Sequence, residues 1–481
     1  MPMNRSTLLL FILLTLFSTA NIAQDANYWS SAYGTGGFMV PGATIVKNGD
    51  SGVLFYNPAL LAFNTKNASN ISGNIYNFQS TRFNDGAGLG LGLKANTTNI
   101  LPVLASNTIY VKLKKPITVA YALMTSPVMR FQASQRRDGA INVLGDGYSP
   151  GNEFFVGQYV HSNSTDETTG LLAVGQSITP KLAAGISFAV TYRRQEFHHN
   201  LSLSALINDN QSFDQRLVSI EEYYLMHSRV YNLGIKAGLS YELSPKHHLG
   251  LLLTLPNIRL SGKGDLIMEY TINNLRLAND EIFLIASSKQ TKLDSRWKTP
   301  LSVAGGYAYN YGKGQLYFSA EYFAKIKEYN VLTPREEFFV RPDTGYDKRF
   351  TSSMMQMKSI HKSILNFSVG ASFPIKKSIQ GYASLRTDFN YSDEPNFKDE
   401  DGYRSNTATW NLYHMQLGTN FKKRRFNLRA GVLLSYGHIS KSEQMVNFDE
   451  PTDTGYLEGT IKNISASRFS AGLMLAYIHN F

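Results

Sequence analysis

The chain of 481 residues contains no cysteine, which removes disulfides, thiolate metal sites and a lipid-modified N-terminal cysteine from consideration. Charge is scarce as well, with Asp, Glu, Lys and Arg at 17%. After the first seventeen residues no very long apolar run occurs, so any membrane crossing is expected from strands. A spacing of serine, histidine and acid that would mark a hydrolase is missing, and no enzyme is expected. The net charge of +11 is large, but the basic residues come in short groups between strand-like runs: Lys114-Lys115, Lys376-Lys377 and Lys422-Lys423-Arg424-Arg425. A nucleic-acid reader needs a continuous basic face or a recognition helix, so that partner is excluded.

Aromatic and small residues are abundant instead: 28 Tyr, 28 Phe and 38 Gly. Such a composition suits strands whose aromatic residues sit at a membrane interface. The first residues differ from the rest. Arg5 precedes the apolar core Leu8 to Phe17, and Ser18-Thr19-Ala20 or Ile22-Ala23 offers small residues for cleavage. This is the pattern of an export signal, too short and one-sided for a retained helix. The reading divides the chain into a signal peptide at 1–23, a glycine-rich hatch at 24–69 and a membrane domain at 70–481.

The strands are located by their turns. Six tight connections stand out at 114–116, 179–181, 244–247, 311–314, 374–378 and 422–425, each rich in Pro, Gly or charge, which end a ladder at modest cost. Between them the residues alternate. Tyr231, Leu233, Ile235, Ala237, Leu239 and Tyr241 share one face, against Asn232, Gly234, Lys236, Gly238, Ser240 and Glu242 on the other. Because successive β side chains point to opposite faces, one face suits lipid and the other a polar lumen. Long connections are read at 84–106, 134–167, 199–222, 262–299, 331–363, 394–409 and 441–465, with the strand-like 153–163 taken as a hairpin arm inside the second. Seven long loops and six short periplasmic turns give fourteen strands, an all-β antiparallel transmembrane barrel with the hatch (plug) inside its lumen. The last strand ends on Phe481, with Leu473, Leu475, Tyr477 and His479 on the same face. A closed barrel leaves no unpaired backbone edge in lipid.

The N-terminal block carries a resemblance. Gly34-Thr35-Gly36-Gly37 is followed by Pro41-Gly42-Ala43-Thr44-Ile45-Val46, then by Gly49-Asp50-Ser51-Gly52-Val53-Leu54-Phe55-Tyr56-Asn57-Pro58-Ala59. This resembles the hatch of the outer-membrane hydrophobic-compound transporters of the long-chain fatty acid and toluene transporter family (FadL/TodX-like), which ends in Asn-Pro-Ala before the first strand. The run from Leu233 to Pro256 is similar to that family's unit of glycine strand, proline turn and strand. About 30 residues at the start are specific, and Lys47 departs from a segment that is often acidic in the family. Fourteen strands is also the family's number.

The resemblance implies passive uptake of hydrophobic small molecules, fatty acids or aromatic compounds, through a plugged barrel with a lateral exit toward the membrane. It places the chain in the outer membrane of a Gram-negative bacterium, as a monomer in contact with outer-membrane lipid and without cofactor. Gly36, Gly37, Gly42, Asp50, Asn57, Pro58 and Ala59 would form the hatch or gate. The candidate ligand groove is Leu266, Ile267, Met268, Tyr270 and Leu275 with Ile282, Phe283, Leu284 and Ile285, an apolar set for an exposed loop, although the same residues would equally extend two strands and pack on each other. Lys236, Glu242, Arg386, Asp388 and Arg429 are read as lumen charges, to guide a head group or to hold the plug. His198-His199 and His247-His248 lack a carboxylate cluster and are read as solvated, with no metal site expected. Two further readings stay open: a plugged barrel that is a secretion-system or surface-cargo interaction module with a secreted or surface protein partner, and a general porin.

Overall fold

The computed structural model describes residues 27–29, 45, 55–64, 67–99, 104–208, 216–277, 280–341, 352–392, 398–399, 402–405 and 409–481. The export signal and most of the hatch block, including Gly36, Gly37, Gly42 and Asp50, lie outside the described residues.

Fourteen strands form a closed antiparallel barrel. They are β1 (Ala68–Phe83), β2 (Leu93–Asn99 and Leu104–Val111), β3 (Ile117–Ile141), β4 (Glu153–Ser177), β5 (Leu182–Leu206), β6 (Leu217–Ser244) and β7 (His247–Thr254 and Ile258–Leu277). The second half comprises β8 (Asp280–Ser295 and Ser302–Tyr311), β9 (Gly314–Phe323 and Ile326–Thr333), β10 (Met357–His361 and Ile364–Lys376), β11 (Ile379–Asp388), β12 (Leu412–Lys422), β13 (Phe426–Glu443) and β14 (Asn463–Asn480). The ring closes where β1 pairs with β14, from Ala68 opposite Asn480 to Phe83 opposite Ala466. All six tight connections are hairpin turns at one end of the barrel. Strands β7 to β10 each break between two segments; in β7 the break holds Pro256, which has no N–H to give to a ladder.

At the other end the structure departs from the loop assignment. The spans 134–167, 199–222 and 262–299 are strand over most of their length, so that β3, β4 and β5 have 25 residues each and β6 has 28. A tilted strand needs about 9–11 residues to cross a bilayer. The segment 153–163 is the outer part of β4, continuous with its crossing part and paired with β3.

The reason is an inversion of the pattern. In the lower half of β5, the apolar Ile186, Phe188 and Val190 face outward and are exposed; in the upper half the apolar Phe197, Leu201, Leu203 and Ala205 face inward and are buried. β6 switches at the same level, with Tyr231 and Leu239 outward but Val218, Ile220, Tyr224, Met226 and Val230 inward. Below the switch the exposed face is apolar and suits lipid; above it the exposed face is polar and suits water, so the hydrophobic face moves to the interior while the alternation is unchanged. Tyr192 and Tyr231 sit opposite each other at the switch, 4.9 Å between ring centroids.

The interior of the outer part is a packed core. It includes Phe83, Phe131, Phe155, Phe197, Tyr224, Tyr403, Trp410, Phe448 and Leu457. Tyr224 stacks on Tyr403 at 3.8 Å, and the segment 444–459 folds over this core through Phe448 and Leu457.

Candidate functional site

The described residues just ahead of β1 form a 3-10 helix, Pro58–Phe63, whose N-cap is Asn57. Its side-chain oxygen accepts from Ala59 N at 3.0 Å, one of the donors a helix start leaves unpaired. The amide nitrogen of the same side chain donates to Leu239 O at 3.0 Å and Ile45 O at 3.1 Å, so one buried residue ties the helix to strand β6 and to Ile45. Pro58 at the first helical position has its φ preset and no N–H to satisfy.

The wall beneath this corner is cut away. Gly175, Gly185 and Gly238 lie directly opposite one another on β4, β5 and β6. A Cβ on Gly175 would stand 2.6 Å from Pro58 O, on Gly185 2.4 Å from Pro58 C, and on Gly238 1.9 Å from Asn57 Oδ1. Three glycines thus form a notch that only the bare backbone leaves open. Beside it Phe55, Leu60 and Leu61 pack on Ala120, Ala122, Met124, Leu171 and Ala173 of β3 and β4. Lys236 Nζ donates to Phe55 O at 2.9 Å, and Thr118 Oγ1 to Asn64 O at 2.9 Å.

A second part of the chain ahead of the barrel reaches the opposite wall. Asn27 Nδ2 donates to Asp388 O at 2.7 Å, Trp29 N donates to Asp388 Oδ1 at 2.9 Å, and Trp29 Nε1 donates to Glu321 Oε2 at 2.8 Å. The ring of Tyr28 stacks between Phe323 and Tyr391, at 4.2 and 4.5 Å, and its hydroxyl is 2.8 Å from His361 Nδ1.

Between these two attachments lies a cavity of about 170 Å³. Its lining is mostly apolar, with Trp29, Ile45, Phe55, Leu252 and Phe323, and it admits three charged side chains, Lys236, Arg386 and Glu321. Glu321 also accepts from Ser302 Oγ at 2.7 Å.

The structure brings together some of the residues read from the sequence and separates others. Lys236 and Arg386 meet at the cavity, and Asp388 holds the segment at Trp29. Glu242 stands near the short turns, 3.9 Å from His248, and the buried Arg429 is inward-facing on β13; neither lines the cavity. The groove residues belong to the β7–β8 hairpin and divide between its faces. Leu266, Met268 and Leu275 are buried in the outer core, with Tyr270, Ile282 and Leu284 packed against it, while Phe283 and Ile285 are exposed. His199 and His248 are buried, a correction to their reading as solvated, because adjacent residues in a strand point to opposite faces and one of each pair must point inward. His199 Nε2 stands 3.5 Å from Glu222, which also binds Lys398 and the Tyr403 hydroxyl. Among the described residues no cluster suited to a metal occurs. Glu321 and the glycine notch escaped the sequence reading; the visible signal was that Gly175, Gly185 and Gly238 all occupy inward positions close to a short turn.

No family model and no curated protein matches the chain. Solved structures match over nearly its whole length. A Pseudomonas aeruginosa FadL homologue superposes with a TM-score of 0.58, covering 95% of this chain and 100% of its own, at 13% identity. The Pseudomonas putida toluene transporter TodX gives 0.55, with 92% and 96% covered, at 13% identity. A TodX deltaS2S3 mutant, a monoaromatic hydrocarbon channel, gives 0.59, with 94% and 100% covered, at 11% identity. The chain is an outer-membrane-type β-barrel with the fold of the FadL and TodX channels.

Proposed function

We propose that the chain carries hydrophobic small molecules, fatty acids or aromatic compounds, passively across a Gram-negative outer membrane. The observation that supports this reading best is the cavity between the hatch residues and the barrel wall. A wide polar lumen offers a hydrophobic molecule nothing better than water, whereas an apolar lining with a few placed polar groups binds it. Lys236 and Arg386 would face the head of an amphipathic ligand, and Tyr28 already fills an aromatic slot beside the cavity. The corner Asn57-Pro58-Ala59 acts as the pivot about which the hatch yields, and capture begins at the exposed Phe283 and Ile285 of the β7–β8 hairpin. A lateral exit is assigned to the seam of β2 and β3. Among the described residues the β2–β3 pairing runs from Val111 opposite Ile117 to Ala105 opposite Leu123, and on its other side, in its pairing with β4, β3 shifts register between Pro127 and Met129.

The packed outer core favours a second reading, a plugged barrel that presents its outer end to a secreted or surface protein. Both readings meet one experiment. Protein purified from its own outer membrane is extracted and its bound small molecules identified by mass spectrometry. A stoichiometric fatty acid or aromatic compound is expected; an empty barrel that instead purifies with a secreted protein overturns transport in favour of the second reading.

A further inference from the structure

The positive charge of this protein is not spread over it. The six hairpin turns, with the strand-end Lys376 and Lys422, hold Lys112, Lys114, Lys115, Lys181, Lys246, Lys313, Lys376, Lys377, Lys422, Lys423, Arg424 and Arg425 and no acid. Of the 47 Lys and Arg and 36 Asp and Glu, this leaves 35 basic residues against 36 acidic ones in all the rest of the chain. The excess therefore sits at one end of the barrel. Every one of the twelve is exposed, and none of them forms an ion pair among the described residues. Four consecutive cations in one turn repel one another, a cost that a bound anion relieves.

The surroundings identify that anion. The turns carry exposed apolar side chains among the cations, with Leu113 at 57%, Ile178 at 49% and Ile375 at 51% exposure. Just inside the rim lie the outward-facing rings of Tyr241, Tyr311, Phe373 and Tyr477. Aromatic rings at the end of a lipid-facing wall mark the head-group level, and a lysine there buries its stem while its ammonium reaches the phosphates. Cations on all six turns, with exposed apolar residues beside them on three, fit a surrounding leaflet better than one docked protein.

We infer that the short-turn rim is a binding surface for anionic phospholipid head groups of the leaflet around it. The inference rests on the outer-membrane placement proposed above. Nine of the twelve cations lie on three successive turns flanking the β14–β1 seam, Lys376-Lys377, Lys422 to Arg425 and Lys112 to Lys115, so the bound lipid collects on that side.

The test uses the full-length protein in phosphatidylcholine vesicles with trace spin-labelled phosphatidylglycerol or, separately, spin-labelled phosphatidylcholine. At low salt the motionally restricted fraction is expected to favour phosphatidylglycerol by about threefold or more. The preference should vanish in about 1 M NaCl, where the Debye length is about 3 Å. It should also fall in K422Q/K423Q/R424Q/R425Q and in K376Q/K377Q; the salt series on the unaltered protein stands even where a variant does not fold. Equal restriction of the two lipids at low salt overturns the inference and leaves the rim to an acidic protein. A barrel that restricts neither lipid overturns the membrane placement itself.

Discussion

At the scale of single residues, the seat of the Asn57–Pro58 corner depends on atoms that are missing. Gly238→Ala places a methyl group where Asn57 Oδ1 now lies, while its backbone is ordinary strand. Overpacking of this kind costs about 1–3 kcal/mol, and about 1.4 kcal/mol is tenfold in an equilibrium. Limited proteolysis within 55–64 is therefore expected to quicken about tenfold while the barrel stays folded. Gly234→Ala, whose nearest neighbours would be 3.8 Å away on Ala189, is expected to change nothing. A pH effect belongs to the outer core. Burial lowers His199 to about 4, below its ordinary 6.5, with Glu222, Lys398, His161, Tyr159 and Tyr403 around it. For Glu222, burial pushes upward but Lys398, His199 and Tyr403 prevail and hold it at about 2. Both folded values are depressed, so both contributions are lost on acidification: that of His199 between about 6.5 and 4, that of Glu222 between about 4.5 and 2. The thermal midpoint of the outer part, followed by near-ultraviolet circular dichroism, should fall from pH 6.5 to 4, and His199→Gln should shrink that fall, with the buried His161 beside it, also held below its ordinary value by burial, supplying a further part.

At the scale of the strand, one chain serves two solvents. Phe188 and Phe197 lie on the same strand, one facing lipid and the other the outer core. Phe188→Lys puts a charge against hydrocarbon, at about 2–4 kcal/mol near the bilayer centre. Phe197→Ala opens a hole in the outer core, at about 3–5 kcal/mol. The first is expected to lower the folded fraction of barrel in vesicles, read by heat-modifiable gel migration. The second should leave migration unchanged and expose the outer segments to protease. The same inversion explains what was legible. Turns, strand faces and the closing strand at Phe481 could be read because each lies where the lipid-facing pattern holds. Above Tyr192 and Tyr231 the pattern keeps its period but changes its face, so a search for apolar-outward strands stops there and labels the remainder loop. The groove residues were singled out for being apolar in a supposed loop, yet Leu266 and Met268 are apolar because they face a core.

At the scale of the whole molecule, the ring closes without help from anything before Ala68, because β1 and β14 pair along nearly their full lengths. A variant lacking residues 24–57 should therefore keep the barrel and conduct ions in planar bilayers at a clearly higher level than the intact protein; equal conductance would mean that the hatch does not obstruct the lumen. The cavity was only half visible in advance, since Lys236 and Arg386 could be placed on the inner wall by alternation but their convergence with Glu321 depends on closure of the ring. Strand length also varies round that ring, from 28 residues in β6 and 25 in each of β3, β4 and β5 to 10 in β11 and 11 in β12. At about 3.3 Å per residue, that difference raises one flank tens of ångströms above the other along the strand direction. The ladder is thus cut obliquely, like the nib of a quill, and on the short flank what reaches the height of Tyr224 is not a barrel strand but the connection that carries Tyr403 and Trp410.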